Sequence, residues 1–237
     1  MFRRITERLS HLPRAVIFDV DGTLYDHSRI KFRMGMDLFI EMLHHPVAGY
    51  QTLSVLRHYR KVREELAVHP LKNISGTSLV LTAQKQGCSP ERVRAAVQQW
   101  MFDQPRKYLL RYRHPGIKPL IRFLTENGIL TAVFSDYPAG GKLDALGLAF
   151  PLVVSGDDPD VDRLKPDPAG LRFCADRLGV RPGDCLYIGD REDKDGECAK
   201  RAGMPYWLIQ PKNSNCPVNH FHSYSELTRV FQHAISH

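Results

Sequence analysis

Five short apolar runs set the narrowest limit on what this chain can fold into: residues 15–18, 129–134, 152–154, 185–188 and 206–209. Each is rich in β-branched or aromatic residues and is bounded by Gly, Pro, Asp or Ser, as strands buried on both faces of a parallel sheet are. Between the later runs lie helical patterns that stop at glycines suited to a left-handed C-terminal position: Leu120, Ile121 and Leu124 before Gly128, Leu171, Cys174 and Leu178 before Gly179, Ala199 and Ala202 before Gly203. Strands alternating with helices predict an open, doubly wound α/β domain, a Rossmann-like parallel sheet.

One segment breaks the alternation. From about Leu24 to Pro115 the apolar residues recur with helical spacing: Phe32, Met36, Phe39 and Leu43 fall at i, i+4, i+7 and i+11, and Val55, Tyr59, Val62 and Leu66 repeat the pattern. Ser89 and Pro90 offer a cap and first-turn proline for a helix carrying Val93, Val97 and Trp100. The expected organisation is an α/β core of residues 1–23 and 116–237, with an all-helical insertion, residues 24–115, after the first strand.

Charge follows the same division. The chain holds 33 Lys plus Arg and 26 Asp plus Glu, a formal net charge of +7. Residues 24–115 contain 15 of the basic and 7 of the acidic residues, a surplus of eight, which leaves the remainder at −1. A basic lid over an acidic site suits a small anionic ligand; the bland alternative for Arg57, Arg60, Lys61 and Arg63 is a solvated helix face. The five cysteines are odd in number and include no C-x-x-C pair, so a disulfide framework and a Cys-rich zinc site are disfavoured. No stretch approaches the ~18–20 consecutive apolar residues of a membrane-spanning helix, and residues 1–13 lack the apolar centre of a secretory signal. These features predict a cytoplasmic protein, monomer or homodimer, with no membrane partner.

Open α/β sheets bind ligands outside the carboxyl ends of their strands. The first run leads into Asp19, Val20, Asp21, Gly22 and Thr23, two carboxylates on the same side of an extended segment, followed by a glycine that permits a tight turn. The second run ends at Ser135 and Asp136, where the serine is a hydroxyl ligand or a plain helix cap. Lys165, before Pro166, is restricted to an extended conformation beside Asp167 and could supply a fixed positive charge to a phosphoryl group. The fourth run ends in Gly189 and Asp190, then Asp193 and Asp195; three acids so close require a cation or water, and their oxygens suit Mg²⁺. No phosphate-loop, dinucleotide-loop or G-x-S-x-G motif is present.

Taken in this order, Asp19-Val-Asp21-Gly-Thr23, Ser135, Lys165-Pro166 and Gly189-Asp190 through Asp195 resemble the haloacid dehalogenase superfamily, phosphoglycolate-phosphatase-like subgroup, over nearly all of residues 14–209, with the insertion similar to that family's helical cap. The resemblance implies Asp19 as nucleophile and Asp21 as general acid–base. It implies Asp19, the main-chain carbonyl of Asp21, and Asp190 as Mg²⁺ ligands. Ser135 and Lys165 become phosphoryl-binding groups with Gly22, Thr23 and Asp136 beside the substrate, and Asp195 orients metal-bound water with Asp193 sharing or taking that role. An acid at Asp21 favours phosphate chemistry over dehalogenation. The expected activity is a Mg²⁺-dependent phosphatase acting on a small phosphorylated anion; the alternatives are a phosphosugar mutase sharing the intermediate, or a non-catalytic protein binding RNA or protein through its basic cap, with nucleic acid the less favoured partner. Within the insertion, Tyr25, Asp26, Arg29, Arg33 and Lys72 are candidates for touching substrate. His44, His45, His220 and His222 lack companion ligands, and Trp100 and Trp207 read as packing residues.

Overall fold

A computed structural model describes residues 12–211 and 219–236. Strand β1 (Ala15–Phe18) is followed by the helices α1 (His27–His44), α2 (Pro46–Val68), α3 (Ile74–Gln86), α4 (Pro90–Val97) and α5 (Gln104–Tyr112), with one π-helical turn between the last two. There follow α6 (Ile117–Glu126), β2 (Leu130–Ser135), α7 (Gly140–Leu146), β3 (Leu152–Ser155), α8 (Ala169–Leu178), β4 (Cys185–Gly189), α9 (Glu197–Ala202), β5 (Tyr206–Ile209), β6 (His220–Phe221) and α10 (Tyr224–Ile235). The six strands form one sheet in the order β3-β2-β1-β4-β5-β6, every pairing parallel. The five apolar runs are its first five strands. The sixth, two residues long, is too short for any periodicity and has no counterpart in the sequence reading.

The strands read as continuous apolar runs because both faces are covered. Val16, Phe18, Val133, Leu186 and Ile188 point to a core completed by Leu120, Leu124, Leu227 and Phe231 of α6 and α10. Their neighbours Ala15, Ile17, Ala132, Phe134 and Tyr187 point to the other face, against Leu171 and Cys174 of α8 and Ala199 of α9. Trp207 and Trp100 are both buried packing residues. Among the described residues no helix is long and apolar enough to cross a membrane.

Helices α1 to α5 contain a separate apolar cluster that includes Leu38, Val55, Tyr59, Leu79, Val93, Val97 and Trp100. Ser89 caps α4 by accepting from the Arg92 amide, with Pro90 in the first turn, as its sequence predicts. In α1 the spacing gives the helix but not its inward face. Phe32, Met36, Phe39 and Leu43 are 67%, 44%, 53% and 66% exposed, while Ile30 and Leu38 are buried. The chain enters and leaves the insertion side by side: Asp26 N donates to Tyr112 O at 2.9 Å and His114 N to Leu24 O at 3.0 Å.

Arg63, Asn73 and Ile74 fasten the insertion to the loops that follow β2 and β3. Arg63 of α2 meets Asp157 at 2.8 Å and donates to the carbonyl of Asp136 at 2.5 Å, and the Asp162 carboxylate accepts from the amides of Asn73 and Ile74 at 2.8 and 2.7 Å. Register aligns the carboxyl ends: Phe18 lies between Val133 and Ile188, and Ser135 beside Ser155. Asp19, Ser135 and Asp190 therefore emerge at one edge of the sheet, where the order reverses about β1.

Candidate active site

Asp19 leaves β1 with its amide donating to the carbonyl of Ile188 at 2.8 Å, which fixes its backbone to the neighbouring strand. Its side chain is buried, and both carboxylate oxygens are held: Lys165 Nζ donates to Oδ1 at 2.6 Å and Thr23 Oγ1 to Oδ2 at 3.0 Å. Lys165 also donates to Asp195 Oδ1 at 2.7 Å and to the Tyr187 hydroxyl at 3.2 Å, and Tyr187 in turn donates to Asp195 at 3.1 Å. The amides of Asp190 and Arg191 occupy Asp195 Oδ2 at 3.1 and 3.0 Å. Asp195 is thus saturated by donors, as a side chain that orients its neighbours is.

One carboxylate oxygen from each of Asp19, Asp190 and Asp195 falls within 4.8 Å of the others. Burial pushes the Asp19 carboxyl up from its ordinary value, with Asp195 and Asp21 adding and Lys165 opposing. Burial likewise raises Asp190, with Asp19 and Asp195 adding. Burial would lower Lys165, but the flanking Asp19 and Asp195 hold its ammonium well above the usual lysine range. A single ammonium does not offset three converging carboxylates, and an all-oxygen donor set of this kind fits a hard divalent cation.

Gly22 and Gly189 allow the acids to come together. Gly22 has φ of +100°, and a β-carbon there would lie 2.1 Å from Asp190 Oδ2; at Gly189 one would lie 2.4 Å from the Asp195 β-carbon. Ser135 is buried at the end of β2, its hydroxyl oxygen accepting from the Tyr137 amide at 3.3 Å. Asp136 turns its carboxylate to the amide of Lys165 at 2.8 Å and lies 3.6 Å from Lys194, so it anchors the lysine's loop.

Asp21 stands apart from the acidic cluster. Lys142 Nζ meets its two oxygens at 2.5 and 2.7 Å, and the Tyr25 hydroxyl donates to it as well. Burial alone would raise this carboxyl; Lys142, helped by His27 and Tyr25, overrides it and holds Asp21 down to about 2. Asp193 lies away from the cluster too: it is exposed and salt-bridged to Arg191. Its position after Arg191 in the π-helical turn Glu192–Gly196 aims it at solvent, whereas Asp195 is buried.

The sheet edge and the insertion enclose a cavity of about 660 Å³, with Asp19, Asp21, Ser135, Lys165 and Asp190 on the core side. Of the residues expected to touch substrate, Tyr25 lines it, whereas Asp26 caps α1 and pairs with Arg29, Arg33 donates to the Tyr112 hydroxyl, and Lys72 lies outside; of the basic run on α2, Arg57, Arg60 and Arg63 line it and Lys61 does not. Lys142 and Asp157 carry no signal in the sequence, and Arg63, one of four cations on a basic helix there, is not on a solvated face but buried against Asp157. Lys142 follows two glycines in a short helix and carries no local pattern, and its partner lies 121 residues away.

A family model described as haloacid dehalogenase-like hydrolase matches residues 13–203. Phosphoglycolate phosphatase 1 of Pseudomonas aeruginosa is 29% identical over 200 residues, 82% of this chain and 68% of that protein. Glyceraldehyde 3-phosphate phosphatase of Methanopyrus kandleri is 34% identical over 216 residues, 85% of this chain and 89% of that protein. Among solved structures, a Bacillus subtilis HAD-hydrolase bound to magnesium superposes with a TM-score of 0.64 at 17% identity, covering 93% of this chain and 99% of its own, which shows the shared fold. With a family match spanning most of its length and the four expected strand-end motifs gathered at one sheet edge, the chain belongs to the haloacid dehalogenase-like hydrolases.

Proposed function

We propose that this hydrolase is a Mg²⁺-dependent phosphatase of a small phosphorylated metabolite, acting through an aspartyl-phosphate at Asp19. The observation that carries the reading is the setting of Asp19: buried at the end of the β1 strand, gripped by Lys165 and Thr23, and lining the cavity between sheet edge and insertion. The two phosphatases similar to this chain support the substrate class. Residues 24–115 are taken as the cap that closes over the site. The four described cysteines are free, which agrees with a cytoplasmic setting.

Asp19 and Asp190 are the residues that would hold Mg²⁺, with the main-chain carbonyl of Asp21 as a further ligand; Asp195, saturated by donors, keeps the arrangement in place. When bound, the ion offsets repulsion between the carboxylates and the substrate phosphate. A carboxylate oxygen of Asp19 attacks phosphorus and the bond to the ester oxygen breaks; Asp21, which Lys142 holds as a carboxylate in the free protein, takes up a proton from solvent when substrate binds and passes it to that oxygen. Asp21, now a carboxylate, takes a proton from the water that attacks the phosphorylated Asp19 and releases phosphate. Ser135 and Lys165 hold phosphoryl oxygens as charge builds on them.

The test is phosphate release from an activated aryl phosphate with added Mg²⁺. Wild type is expected to turn over and Asp19→Asn to be inactive. Substantial turnover by Asp19→Asn removes Asp19 from the nucleophile's role.

A further inference from the structure

The cations around the cavity divide into two sets. Arg63, Lys142, Lys165, Arg191 and Lys194 each face a carboxylate: Asp157, Asp21, Asp19, Asp193 and Asp136 in turn. Lys31, Arg57 and Arg60 line the same cavity and pair with no carboxylate among the described residues. Elsewhere the insertion does pair cations with acids, as Lys85 with Glu65 and Lys107 with Asp37 show.

The three are also arranged together. Arg57 and Arg60 are one turn apart on α2, on one face of the helix, and Lys31 projects from α1, which packs against α2. Lys31, Lys142 and Arg60 all act on His27: burial holds its ring down to about 4, the negative charge of Asp21 opposes, and these three positive charges add. Glu64, further along α2, is the acid on this wall, and it forms no ion pair with any of the three. Exposed cations that meet no anion contribute little in open water, but the same charges attract strongly once a ligand displaces that water.

Resting on the phosphatase reading, we propose that Lys31, Arg57 and Arg60 form a second anion subsite, so that the preferred substrate is a phosphate ester whose leaving group carries its own carboxylate or phosphate. The ester phosphate is provided for on the core side by Ser135 and Lys165, and a cavity of about 660 Å³ is far larger than one phosphate needs. The second charge falls to the insertion wall, where the unpaired cations stand. The two phosphatases similar to this chain differ on this point, since a phosphoglycolate carries a carboxylate beside its phosphate and a glyceraldehyde 3-phosphate has a neutral remainder.

The experiment compares kcat/KM for 2-hydroxyethyl phosphate, 2-phosphoglycolate and ethylene glycol bisphosphate, three two-carbon esters whose far ends are neutral, carboxylate and phosphate. Wild type is expected to favour at least one of the charged esters over the neutral one by about tenfold or more, through KM, and the preference is expected to weaken as salt is raised. The charged ester that is preferred identifies the second anion. In Arg57→Gln/Arg60→Gln the preference falls toward parity. Lys61→Gln, which removes one charge from α2 away from the cavity, retains it. Equal efficiency toward neutral and charged esters in wild type, or an unchanged preference in the double variant, overturns the subsite and leaves the phosphatase reading intact. Failure to hydrolyse any of the three, together with inertness toward the aryl phosphate, overturns both.

Discussion

Two buried ion pairs decide how individual residues behave. Arg63 and Asp157 are 3% and 10% exposed and join the insertion to the core, so removing one partner leaves the other charged, buried and alone. Arg63→Met is expected to lower stability by about 3–5 kcal/mol in urea denaturation, and the Arg63→Met/Asp157→Leu double variant to recover much of the loss. Asp21 has the opposite sensitivity to pH from a lysine or histidine. Its folded-state carboxyl sits at about 2, below the ordinary 3.8, so its pairing with Lys142 stabilises the fold above about pH 4 and is lost as the pH falls toward 2. Lys142→Met forfeits that contribution, roughly 2 kcal/mol. The melting-temperature gap between wild type and variant is therefore expected to be widest above pH 5 and to close on acidification; a gap independent of pH contradicts the assignment. Asp19, Asp21, Ser135, Lys165 and Asp190 were legible in sequence because each adjoins a strand end or a proline. Lys142 and Asp157 were not, and Arg63 was legible only as one cation of a basic helix, because their meaning lies in partners 121 and 94 residues distant.

At the scale of elements, the parallel sheet was legible because both faces of each strand are buried and the runs are therefore unbroken. Helix α1 shows where such reading stops. It carries two apolar stripes, one through Ile30, Met34 and Leu38 and another through Phe32, Met36, Phe39 and Leu43, and periodicity identifies a helix without saying which stripe turns inward. The structure selects the first. Leu38→Ala is accordingly expected to cost about 2–4 kcal/mol, whereas Phe39→Ser costs less than about 1 kcal/mol. Comparable losses for the two in chemical denaturation would mean that the exposed stripe is covered in solution. Asp193 and Asp195 illustrate the same limit at shorter range: both sit in a run of acids, and only the π-helical turn separates the buried one from the exposed one.

Across the whole molecule, a basic insertion stands over an acidic sheet edge, and the two halves of the charge account for each other. The surplus of eight on residues 24–115 includes the three unpaired cations of the cavity wall, while the slight negative balance of the remainder includes the cluster Asp19, Asp190 and Asp195. Because these carboxylates repel without a cation, Mg²⁺ is expected to raise the melting temperature of the wild type and to do so far less in Asp190→Asn, read by calorimetry with and without chelator. Phosphorylation of Asp19 is read by quenching a single turnover of radiolabelled phosphate ester in acid and locating the label by peptide mapping. The account predicts acid-stable, hydroxylamine-labile phosphate on the peptide containing Asp19, and none in Asp19→Asn. Full turnover with no protein-bound label, or label on another residue, would contradict it.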